Sequence, residues 1–137
     1  MSLDIAPNDK QNPWEELFNI WLRSSDAMAA LSKNSGSKYL HVIQPQQYFS
    51  KKKFSAEEAK VALSLPTETP MRIGAERGYG MIDQQSELVA SRGIVSTISL
   101  FDQETRPMYV DNCCHYNNEE EAMLARFVAQ QIVKLTR

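Results

Sequence analysis

The chain has few of the features that define several protein classes. Its only cysteines, Cys113 and Cys114, are neighbours, so no disulfide framework is available and a reduced, intracellular pair is expected. No apolar run approaches the roughly 20 residues that span a bilayer. The N-terminal "MSLDIAPNDKQNP" has no apolar core of a signal peptide, which makes a cytoplasmic location the expectation. A formal net charge of -2 gives no general attraction to nucleic acid or to an anionic membrane. Glycine is scarce, five in all. The stretch Gly74 to Gly80 lacks both the spacing and the preceding strand of a phosphate-binding loop, so a nucleotide site is rejected. There are no internal repeats and no low-complexity segments.

What is present fits one soluble domain: 137 residues, 42% hydrophobic and 23% charged. Residues 1–12 are expected to be a flexible segment and 13–137 a single domain. Asn12-Pro13-Trp14-Glu15 is a helix start, with a capping residue, proline at the first turn and an early acid. Apolar residues from Trp14 to Leu31 then recur at helical spacing until Gly36. The two tryptophans on this stripe are expected in the core. "KYLHVIQP" reads as a buried strand, "QQYFSKKKF" as a loop with three solvated lysines, and Ser55 with Glu58 as a capping box opening a short helix to about Leu65. Arg72 to Ser91 reads as one helix ended by Gly93. "IVSTISLF" and "MYV" read as strands two and three. The last helix carries Met123, Leu124, Phe127, Val128, Ile132 and Leu135 on one face, expected to form the core, behind a solvated run of glutamates. Helices alternating with short apolar strands predict an α/β domain: a three-layer α/β/α arrangement around a short, mostly parallel sheet. Three short strands leave open edges, so a homo-oligomer or a protein partner is expected.

Chemistry concentrates where the third strand meets the last helix, in "YVDNCCHYNNEEE". On the residues alone, Asp111 or Asn112 caps the turn or the helix while His115 is either a surface residue or a general base. Cys113 and Cys114 are a redox pair, ligands to a metal together with His115, or buried thiols packed beneath the turn. The last is expected, because adjacent cysteines chelate poorly and no second nearby histidine completes a zinc site.

"YLHVIQPQQYFSKKKFSAEEA", "ELVASRGI" and "MYVDNCCHYNNEEEAMLARFVAQQI" together resemble the C-terminal half of SGNH (GDSL-type) hydrolases. In that family an Asp-x-x-His turn carries the catalytic histidine ahead of a closing helix. The resemblance implies that His115 is a general base for acyl-ester hydrolysis with Asp111 as its carboxylate partner, and that no metal or organic cofactor takes part. The strict spacing falls on Asn112, one residue after Asp111. Glu120 and Glu121 stand where the family has a Gly-Asn pair. The Gly-Asp-Ser nucleophile motif and the oxyanion donors are not found. The resemblance thus implies a small acyl-ester substrate for the complete enzyme and a missing N-terminal half. A non-catalytic interaction or scaffold module is the alternative.

Overall fold

The computed structural model describes residues 12–136, so the expectation for residues 1–11 lies outside it. Helices dominate, around one two-stranded parallel sheet. Helix α1 (Pro13–Asn34) starts as its sequence predicts: the Asn12 side chain accepts from the Trp14 N–H at 3.2 Å, and Pro13 fills the first turn. It stops where Gly36 takes a φ of 73°, a conformation costly for other residues. Strand β1 (Val42–Ile43) pairs in register with β2 (Val95–Ser96), Val42 opposite Val95 and Ile43 opposite Ser96.

Helix α2 (Ala56–Ala62) is capped by the Ser55 hydroxyl, which accepts from the Glu58 N–H at 3.1 Å. The expected single helix from Arg72 to Ser91 is two, α3 (Pro70–Gln84) and α4 (Ser86–Ser91), broken at Gln85. The break reorients the chain so that Val89 enters the core with Ile43 and Ile94. Gly93, also at φ 73°, then leads into β2. Helix α5 (Asn118–Thr136) closes the chain.

The core lies in two clusters. Phe18, Leu22, Ile43, Val89 and Ile94 join α1, the sheet and α4, with Trp21 packed against them. Ala62, Phe101, Met108 and Tyr109 form the second, covered in part by Phe54, Tyr116 and Met123. This corrects the expectation for α5: of its apolar stripe only Met123 packs against a core cluster, and Ile132 and Leu135 are exposed. Trp14 is only half-buried.

The third strand also differs. Tyr109 makes a single antiparallel bridge to Tyr116, within its own turn. The reason is chemical. Glu58 Oε1 accepts the N–H groups of Met108 (2.7 Å) and Tyr109 (3.1 Å), the donors a neighbouring strand would otherwise use. Glu58 therefore does not reach back to complete its capping box. Its other oxygen holds Lys52 Nζ at 2.6 Å, and both side chains are fully buried. One of the three lysines expected in solvent is thus a core residue, because its stem packs inside and its charge is neutralised there.

Removing one charge from a buried pair strands the other. Glu58→Gln is expected to cost about 3–5 kcal/mol of unfolding free energy. The same change at the exposed neighbour Glu57 should stay within about 0.5 kcal/mol. Urea unfolding of both variants checks the difference.

Candidate active site: the Asp111–His115 turn

Asp111 is the organiser of the turn. Its Oδ1 accepts three successive backbone N–H groups, from Cys113 (2.9 Å), Cys114 (3.2 Å) and His115 (3.3 Å). Its Oδ2 contacts His115 Nδ1. The His115 ring above all holds the Asp111 carboxyl far below the usual carboxylate range; burial opposes it, and the three backbone donors add to the lowering. A depressed folded pKa means that these contacts contribute fully above the ordinary carboxylate pKa and are lost as pH falls below it.

The structure therefore brings together the two residues singled out in the sequence, Asp111 and His115, across the one-residue offset. In the neutral ring, Nδ1–H donates to the carboxylate and Nε2 carries the free lone pair. His115 is exposed, with 69% of its side chain in solvent, so that lone pair is open to a reactant. Asn112, at the strict family spacing, faces elsewhere: its amide donates to the Ser64 hydroxyl at 2.9 Å. Ser64 is the serine the fold brings to this turn, but its own hydroxyl donates to the Val61 carbonyl, and no hydrogen bond joins it to His115 among the described residues.

The carbonyl side of the turn is held by residues of the "QQYFSKKKF" loop. Gln47 donates to the Asp111 carbonyl (3.3 Å), Tyr48 to that of Asn112 (3.0 Å) and Gln46 to that of Cys113 (3.4 Å). Three consecutive carbonyls are thus met by three consecutive side chains. Tyr116 adds a bond from its hydroxyl to the Pro45 carbonyl, and Tyr79 one to that of Gln44. The signal available in the sequence was a pair of amide side chains directly after Pro45. Both glutamines are buried, and a buried amide demands partners.

Asn117, not Asp111 or Asn112, caps α5. Its side chain accepts from Glu119 N–H and Glu120 N–H, and Glu120 returns a bond to the Asn117 N–H. Glu120 is fully buried, which corrects the expectation of an entirely solvated glutamate run. Burial pushes its pKa up to about 7. The thiols differ from expectation too. Cys113 and Cys114 are partly exposed, with their sulfurs 3.5 Å apart.

Away from this turn, a serine–histidine contact joins Ser25 Oγ to His41 Nδ1 at 2.8 Å. Ser25 is buried within α1, and burial lowers the pKa of His41. This pair satisfies two polar groups beside Trp21. No group of three or more His, Cys, Asp or Glu side chains suited to a metal ion occurs among the described residues. No helix among them is long and apolar enough to cross a membrane.

Neither a protein-family model, nor a curated protein, nor a solved structure matches the chain.

Gln47 supplies donors to two carbonyls, Asp111 and Ala62. Gln47→Ala should cost about 1–3 kcal/mol by orphaning them and should raise amide hydrogen exchange selectively at Cys113–His115. Exchange unchanged at those amides would show that the turn holds its shape without this clamp.

Proposed function

We propose that the chain is a domain related to SGNH (GDSL-type) hydrolases, with Asp111–His115 as the general-base pair for acyl-ester hydrolysis in the complete enzyme. The observation that carries this reading is the Asp111 carboxylate on His115 Nδ1, with the opposite edge of the ring open to solvent. In that role Nε2 takes the proton of a serine hydroxyl as it attacks the ester carbonyl and returns it to the leaving alcohol. Asp111 fixes the tautomer and stabilises the imidazolium. The parallel β1–β2 pair is then part of the short central sheet of a three-layer α/β/α arrangement.

Among the described residues neither a nucleophile nor oxyanion donors accompany the pair, and these account for most of the rate enhancement of such enzymes. The chain alone is therefore expected to hydrolyse short-chain p-nitrophenyl esters no faster than background. Turnover abolished by His115→Ala would mean that a serine of this chain serves after all. The base itself is tested by ¹⁵N NMR of the imidazole. The Nδ1–H tautomer should dominate in the neutral wild type and lose that dominance in Asp111→Asn. A wild-type ring protonated mainly on Nε2 would overturn the general-base reading.

A second reading, an interaction module that self-associates, draws on the exposed apolar side chains of α1 (Leu17, Met28, Leu31) and α5 (Ile132, Val133). Sedimentation equilibrium at micromolar concentration should give a mass above that of one chain. A monomer across the concentration range would remove this reading.

A further inference from the structure

The geometry points to Cys113–Cys114 as a reversible redox site, a vicinal dithiol that low-molecular-weight disulfides close into a ring and thiols reopen. This goes beyond the hydrolase reading and stands whether or not that reading holds. Three observations carry it. The two sulfurs lie 3.5 Å apart on the same side of the turn, which is already within the separation of a near-attack arrangement. Both residues are partly exposed, so a small disulfide can reach them. And the turn that presents them is fixed from both sides, by Asp111 on the amides and by Gln46, Gln47 and Tyr48 on the carbonyls.

The chemistry balances with oxidised glutathione as the oxidant. The Cys113 thiolate attacks one sulfur of the glutathione disulfide and expels a glutathione thiolate, leaving a mixed disulfide. Cys114 then loses its proton and attacks Cys113 Sγ, expelling the second glutathione thiolate. Two protein thiols are oxidised to one S–S bond, one disulfide is reduced to two thiols, and the two protons pass to the departing glutathiones. Burial, and then the contact with Cys113, push the Cys114 thiol up to about 11, and exchange that starts at Cys114 closes the same ring.

Adjacent α-carbons lie about 3.8 Å apart, below the span of about 4.4–6.8 Å that an unstrained disulfide prefers. The eight-membered ring is therefore strained and readily reduced, as labile regulatory disulfides are. Closing it also turns the peptide between the two cysteines, whose N–H is the Cys114 donor to Asp111 Oδ1. Oxidation thus acts on the seat of Asp111, the residue that positions His115.

The test is intact-mass and peptide-mapping mass spectrometry of the whole chain treated with excess oxidised glutathione. The expected product has lost two hydrogens and carries no glutathione, and dithiothreitol restores the starting mass. Cys114→Ser should instead accumulate glutathione on Cys113, because the closing thiol is gone. In ¹⁵N spectra of the oxidised wild type, the Cys114 and His115 amide signals should shift while those of α1 remain. Persistent mixed disulfides on wild type, disulfide-linked dimers, or no reaction would each overturn the proposal. These outcomes read the wild-type protein, so they do not depend on the folding of the variant. They are also independent of ester hydrolysis.

Discussion

The backbone N–H groups of residues 113–115 depend on one carboxylate. Asp111 gathers three backbone N–H groups on one oxygen and a histidine ring on the other. Without that acceptor the amides would point at nothing, and the segment would have no reason to prefer this conformation to other turns. The effect is mutual. The turn holds the carboxylate in its ionised form, and the ionised carboxylate sets which nitrogen of His115 carries the proton. A short polar motif thereby acquires a defined shape.

A second carboxylate plays a comparable part beneath it. Glu58 divides its oxygens between Lys52 and the amides of Met108 and Tyr109, the residues that lead into the turn. Buried charge is costly, and it is tolerated here because both oxygens of the acid accept from groups that need an acceptor. Aromatic rings close around it. Tyr109 meets Phe54, Phe101 and Tyr116 at centroid distances between 5.5 and 6.3 Å, within the range in which ring pairs attract.

The parts of this fold that were legible beforehand are those governed by local chemistry. The start of α1 at Pro13, the left-handed glycines at 36 and 93, the cap at Ser55 and the final helix follow from residues within a few positions of one another. The Asp111–His115 contact was also legible, since it spans a single turn. What escaped was non-local. Nothing near Glu58 in sequence reveals that its side chain abandons its cap for Met108, and nothing in "KKK" distinguishes Lys52 from its exposed neighbours. Strand lengths were overestimated because β-prone runs such as "IVSTISLF" signal burial as much as pairing. Only Val95 and Ser96 of that run pair in the sheet. In α5 a periodic apolar face is not a buried one: past Met123 it does not join the core clusters.

The clamp on the turn has a consequence for the order in which the molecule assembles. The bonds from Gln46, Gln47 and Tyr48 join residues 64 to 67 positions apart, and that from Tyr116 to Pro45 spans 71. Such contacts form only after a long loop has closed, whereas the helices on either side need only neighbours. The Asp111–His115 geometry therefore belongs to the late-forming part of the molecule.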